Sequence, residues 1–308
     1  MIGNIIDAYV VSALLMILLG VIFGVFIARR FKLHARLWWI GAAGFVISQV
    51  GHIPFNGMVT QLFAQGTLPP PPPQWSNLFN AVCLGLSSGL FEELTRAAVY
   101  RWWAKDARSW RKGLLKGAGW GGIEAILLGA LALYTFVYMT AIRGIDLSNL
   151  VSPEQLALAQ QQMSAYWGAE WNVRLLGALE RLLTIPVHIA LSVIVLQAFT
   201  RRGSRMPGWV WVALAVLWHA LLNGVVVYLG RVWAQEEWNF YALEGVIAVF
   251  SLVSVGIIFA LRRPEPAEAH EAPAATVLPQ DANILDKIKA EVDDAQISAD
   301  DLDSTRYT

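Results

Sequence analysis

The chain of 308 residues is 56% hydrophobic and 15% charged, carries 14 tryptophans and has no net charge, so it holds more apolar surface than the core of a soluble domain of this size requires. A water-soluble enzyme and a basic nucleic-acid binder are both excluded, and an integral membrane protein remains. The single cysteine, Cys83, excludes an internal disulfide.

About 20 apolar residues in helical form cross a bilayer core. Seven stretches have that length: 5–28, 37–61, 76–100, 117–140, 175–200, 207–230 and 238–261. The first lacks a basic N-terminal region and ends at Arg29-Arg30 without a small-residue cleavage site, so it reads as a retained span and not a signal peptide. The connections after spans 1, 3, 5 and 7 hold fifteen basic residues, Arg29, Arg30, Lys32, Arg36, Arg101, Lys105, Arg108, Arg111, Lys112, Lys116, Arg201, Arg202, Arg205, Arg262 and Arg263. The opposite connections hold only Arg143, Arg174 and Arg231. The positive-inside rule therefore puts the N-terminus outside and the C-terminus in the cytoplasm. The expected fold is all-α, a multi-pass bundle of about seven transmembrane helices in the cell membrane.

Between spans 2 and 3 the run Pro69–Pro73 reads as a stiff polyproline spacer. Residues 141–173 form a long outer segment whose QQQMSAYWGAEW suits the interfacial aromatic belt. After Arg263 composition changes: residues 264–308 hold eleven acidic and three basic side chains, too polar for a core. The chain thus divides into a transmembrane domain, 1–263, and an acidic, largely disordered cytoplasmic tail, 264–308, with room for a short helix around 284–292.

Ionisable residues within spans are costly and mark function. Span 3 has Glu92, Glu93 and Arg96; span 4 has Glu124; span 5 has His188; span 6 has His219 with Asn223. At 1.5 Å per residue, Glu92 and Glu124 lie roughly 12–13 Å from the cytoplasmic ends of their spans, and His188 and His219 roughly 20 Å. Residues four apart share a helix face, which pairs Glu92 with Arg96 and His219 with Asn223. Gly117, Gly119, Gly121 and Gly122 allow a neighbouring backbone to approach span 4 and bring Glu124 toward the other polar groups.

Carboxylates, imidazoles and an amide without a serine or cysteine nucleophile suit one chemistry. A carboxylate activates water held beside a histidine, the water attacks a peptide carbonyl, and asparagine or imidazole stabilises the oxyanion. Structural readings stand beside it. A Glu–Arg pair is common membrane glue, His52 next to Pro54 reads as part of a helix break, Glu180-Arg181 as a local pair, and Glu244 as a group reaching the outer interface. There is no H-E-x-x-H motif. GLSSG, Gly85 to Gly89, matches G-x-S-x-G but lies in a helix where that motif needs a strand-to-helix elbow.

The order FEELTR, GGIEAILLG, His188 and HALLN on successive spans, with GHIPFN in span 2, resembles the YhfC family of membrane peptidases, related to the CPBP (CAAX-protease and bacteriocin-processing) and PrsW glutamic intramembrane proteases. The resemblance covers most of 1–261. It implies a glutamic-type intramembrane endopeptidase, often described as a metalloprotease, with Glu92 as water-activating glutamate, Glu93 as its partner, Arg96 as the basic residue and His219-Asn223 as the closing motif. Two departures stand out. The spacing is E-E-x-x-R where CAAX-type enzymes have E-E-x-x-x-R, and Trp120 stands where the family's glycine-rich motif often has histidine.

The expected function is hydrolysis of a peptide bond in or near the cytoplasmic half of the bilayer by Glu92, Glu93, Arg96, Glu124, His188, His219 and Asn223. Zinc is the possible cofactor, with Glu92, Glu124, His188 and His219 as candidate ligands. The expected partners are a membrane protein or peptide substrate and the lipid bilayer, and no nucleic acid. The alternatives are a transporter or a catalytically silent membrane scaffold with a buried polar cluster.

Overall fold

The computed structural model of the protein describes residues 2–201, 206–263 and 289. Among these, eight α-helices follow in order: α1 Ile2–Phe31, α2 Arg36–Ala64, α3 Ser76–Trp102, α4 Trp110–Ala141, α5 Pro153–Gly168, α6 Trp171–Thr200, α7 Gly208–Val232 and α8 Asn239–Ala260. Arg202, Arg205 and the acidic tail, with its short helix apart from Lys289, lie outside the described residues. The all-helical reading holds, and the bundle forms one compact unit, Met1–Arg263.

Five helices are long and apolar enough to cross a membrane: α1 from Ala8, α4, α6, α7 and α8. The protein is a multi-pass membrane protein. Helices α2 and α3 have comparable lengths of 29 and 27 residues but are not among these five, and they carry Gln49, His52 and Asn56, and Glu92, Glu93 and Arg96, respectively.

Two element boundaries differ from expectation. Helix α4 starts at Trp110, seven residues before position 117, where Ser109 Oγ accepts a hydrogen bond from the Lys112 backbone N–H and caps it. Lys116, expected in a cytoplasmic collar, is therefore inside α4 and fully buried. Its ammonium lies 3.4 Å from the centroid of the Tyr100 ring and donates to the Arg96 carbonyl at 3.3 Å. The second difference is at Pro54, which does not end its helix. Pro54 removes only one backbone donor, and α2 continues to Ala64.

Close approach of helices depends on residues without side chains. A Cβ on Gly85 would sit 2.5 Å from the Ala220 carbonyl oxygen, and one on Gly89 would sit 2.6 Å from that of Val216, so both glycines seat α3 on α7. GLSSG is therefore a packing seam, with Ser87 and Ser88 hydroxyls donating to the Leu84 and Gly85 carbonyls of their own helix. Gly117 and Gly121 do the same for α4 against Ile189 and His188 of α6. Gly89→Ala is expected to cost about 1–3 kcal/mol by overpacking, read as a lowered thermal midpoint in detergent. Gly57→Ala, with nothing within 4 Å of its added Cβ, is the neutral control.

Candidate active site

Because α3, α4, α6 and α7 touch through small residues, their polar side chains converge. Starting α4 at Trp110 places Glu124 fourteen residues along the helix, roughly 21 Å, which is the depth expected for His188 and His219.

Glu93 is fully buried and takes two donors from Arg96, Nε to Oε2 at 2.8 Å and Nη2 to Oε1 at 3.1 Å. His219 Nδ1 lies 2.9 Å from the same Oε1. A nitrogen facing a carboxylate oxygen carries the proton, so Nδ1–H donates and the lone pair of His219 is on Nε2. Arg96 also donates through Nη1 to Ser192 Oγ at 2.7 Å and to the His188 carbonyl at 3.2 Å, and its guanidinium lies 4.1 Å from the Trp120 ring centroid. The (i, i+4) pairing of Glu92 with Arg96 is thus replaced by an (i, i+3) pairing of Glu93 with Arg96.

Glu124 is bound from α6. Arg181 Nη1 donates to Glu124 Oε1 at 2.8 Å, and His188 Nε2 lies 2.6 Å from Glu124 Oε2. Arg181 also pairs with Glu180, which was the whole of its expected role. His188 Nδ1 faces Arg96 Nη2 at 3.3 Å. A guanidinium only donates, so this nitrogen accepts and the proton of His188 is on Nε2.

Glu92 is held differently. Its Oε2 accepts from the Trp120 indole N–H at 2.9 Å and its Oε1 from the Gln49 side-chain N–H at 3.2 Å. The Gln49 Oε1 in turn lies 3.2 Å from His52 Nδ1, while Asn56 Nδ2 and Ser87 Oγ lie 2.9 and 3.2 Å from His52 Nε2. With Nδ1–H donating and Nε2 accepting, one hydrogen-bonded row runs from Asn56 through His52 and Gln49 to Glu92. His52 is therefore part of this polar network and not a helix break. The Asn223 amide donates to Ser88 Oγ at 2.7 Å and is not hydrogen-bonded to His219.

A cavity of about 320 Å³ adjoins these groups and is lined by Glu92, His188, His219, Glu124, His52 and Asn223 among others. Its further lining, Leu84, Asn56, Arg181 and Val227, lies along each helix on the side of Glu92 away from the basic connections. On the basic side, Arg96, Tyr100, Lys116 and Trp120 are all fully buried and close the bundle with stacked cations and rings.

One metal-compatible grouping occurs among the described residues: Glu92, Glu93 and His219 each offer a donor atom, all within 4.8 Å of one another. Glu124 and His188, the other expected ligands, are engaged with each other and with arginines. Reasoning from sequence missed Trp120, Gln49, Arg181 and Ser192 as partners of the site. The spacing of Gln49, His52 and Asn56 along one face of α2 was the available signal for the first row of polar groups.

A family model described as YhfC intramembrane metalloprotease matches residues 15–248. The Bacillus subtilis (strain 168) protein described as an uncharacterized membrane protein YhfC is 29% identical over 245 residues, which is 78% of this chain and 89% of that protein. No solved structure matches the chain.

Proposed function

The chain belongs to the YhfC intramembrane metalloprotease family, and from that premise we propose that it is an endopeptidase hydrolysing a peptide bond of a membrane-embedded substrate with Glu92 as general base. One observation carries this reading. Of the carboxylates gathered at the site, Glu93 and Glu124 are ion-paired with Arg96 and Arg181, whereas both Glu92 oxygens are met by neutral N–H donors of Trp120 and Gln49. A carboxylate neutralised by arginine is a poor proton acceptor. Glu92 has no such partner and faces the cavity where water and substrate meet.

The other residues take supporting roles. Glu93 fixes the tautomer and ring direction of His219, and Arg96 fixes Glu93. Glu124 and Arg181 hold His188 in the same manner, with its ring 5.6 Å from that of His219. Asn223 has a second amide hydrogen beyond the one given to Ser88, placed on the cavity wall where it can donate to a developing oxyanion.

The site fits a divalent ion such as zinc: an imidazole, His219, whose Nδ1–H is taken by a carboxylate in the pattern of metal-binding histidines, lies close to Glu92, a carboxylate with no arginine partner. His219 would hold the ion through Nε2, Glu93 would fix that imidazole, and Glu92 would stand beside the ion as the proton acceptor. Such an ion supplies Lewis acidity toward a carbonyl or water oxygen. We further propose that residues 264–308 are an acidic cytoplasmic tail and that the bundle is oriented with its basic connections in the cytoplasm.

Two measurements test the reading. Elemental analysis of protein purified without chelator is expected to show a bound divalent metal that is lost in His219→Ala and retained in Asn223→Ala. Comparative proteomics of membranes bearing the native protein or His219→Ala is expected to show a membrane protein that accumulates uncleaved only in the variant. Identical cleavage products in both would remove the proposal.

A further inference from the structure

The same face of α4 is treated differently along its length. At 3.6 residues per turn, positions 116, 124, 127, 131 and 134 all fall within about 40° of Trp120. Lys116 and Trp120 are fully buried, yet Leu127 is 46%, Leu131 56% and Tyr134 66% exposed. Helix α2 shows the matching trend. Its Gly41, Gly44, Phe45 and Ser48 are buried against α4 and α3, while on the same face His52 and Val59 are only half-buried and Phe55 is exposed. The two helices are packed together at Gly41 and Gly44 against Lys116 and Trp120, and farther along they take different partners, α2 lying on α3 through Phe55–Phe91 and Phe63–Phe79 and α4 on α1 at Gly129, which draws them apart beyond Ser48 and Trp120. Pro54 provides a local cause, since it leaves the Val50 carbonyl without its helical donor.

The divergence lies beside the cavity. His52 and Asn56 of α2 line it on one side and Glu124 of α4 on the other, and the Glu124 side chain is 22% exposed where that of His188 is 8% exposed. The rim toward lipid is apolar, with Ile53, Met58, Leu127 and Leu131 exposed.

We propose that the gap between these halves of α2 and α4 is a lateral entrance by which an apolar transmembrane segment of another protein reaches Glu92. The inference rests on the peptidase reading and names its partner. An apolar rim admits an apolar helix and repels a water-soluble peptide. Inside, the amide of Asn56, the imidazole of His52 and the Glu124 carboxylate face a chain that must unwind to be cut, and they offer partners for the N–H and C=O groups that the bilayer leaves unsatisfied.

The test uses a lysine-flanked leucine-alanine peptide of about 22 residues with a central Gly-Pro pair and a diazirine, reconstituted in liposomes with the full-length Glu92→Gln protein. Photoadducts are expected to concentrate on residues 53–59 and 124–134, and to fall severalfold in Val59→Trp and in Leu127→Trp, each of which fills the gap. Two independent plugs on different helices guard against misfolding of one, and unchanged thermal midpoints identify the variants to compare. Adducts spread evenly over the perimeter, concentrated on a second, apolar groove that residues of α3 such as Leu86 form with Leu221 of α7, or undiminished in both folded plug variants would overturn the entrance. The label requires no hydrolysis. Localised adducts without any Glu92-dependent cleavage would therefore sink the peptidase reading alone, and displaced adducts with such cleavage would sink the entrance alone.

Discussion

Glu92→Gln is expected to lower hydrolysis by about a thousandfold, in line with the contribution of a positioned general base, while leaving the protein folded and membrane-inserted. The two halves of that expectation have separate causes. Glutamine keeps the length of the side chain and retains a carbonyl oxygen, so the Trp120 indole N–H, which now meets Oε2 at 2.9 Å, still has an acceptor. The Gln49 N–H loses its acceptor at Oε1 but keeps Ser48 Oγ at 3.2 Å, so no donor is left without a partner and the bundle stays packed. What disappears is the ability to take a proton from water. Initial rates with an identified substrate, alongside the thermal midpoint of each preparation, read both quantities. Glu92→Asp, which withdraws the carboxylate by one methylene, should fall between the two because the base survives but its distance to the water does not. Equal rates in Glu92→Gln and native protein would remove Glu92 from the chemistry and return attention to a structural role for the cluster.

Arg96→Met should be the most destabilising single change in the site. Arg96 is fully buried, and it holds the Glu93 carboxylate by two nitrogens while also donating to Ser192 and His188 from α6. Removing it leaves a carboxylate with 0% exposure and no cation, and breaking a buried pair in this way costs about 3–5 kcal/mol. A large fall in thermal midpoint, or loss of folded protein on extraction, is expected. The double variant Glu93→Gln/Arg96→Met should recover a substantial part of that loss, because it removes the stranded charge along with its partner. Stability rescued without activity would assign the pair to holding His219 in place. A double variant no better than Arg96→Met would mean that the bonds to Ser192 and His188, and not the buried charge, dominate.

The pairing scheme explains why three carboxylates within one small region differ in chemical character. Arg96 approaches from one turn along α3 and reaches Glu93, whose side chain points toward α7 and α6. Glu92 lies 100° away around the same helix and meets α2 and α4 instead, where Gln49 and Trp120 supply neutral donors. Trp120 occupies the position at which the resemblance led us to expect histidine, and its indole N–H performs an orienting task on Glu92 that a metal-ligating imidazole would not.

Membrane residence, the all-helical class and the membership of Glu92, Glu93, Arg96, Glu124, His188 and His219 in one polar region were legible from composition, span length and the cost of ionisable groups in lipid. These are local or summed properties of the chain, and the bilayer punishes exceptions to them, so they appear in the sequence itself. The helical spacing that would have paired Glu92 with Arg96 was misleading, because it records which residues share a face but not which neighbouring helix that face meets. Only tertiary packing decided that Arg96 serves Glu93, that Arg181 reaches across to Glu124, that Lys116 is buried over Tyr100, and that α2 and α4 separate beyond Trp120. The glycines of span 4 signalled that some backbone would settle there, but which helix settles against which is a property of helix pairs that neither helix shows alone.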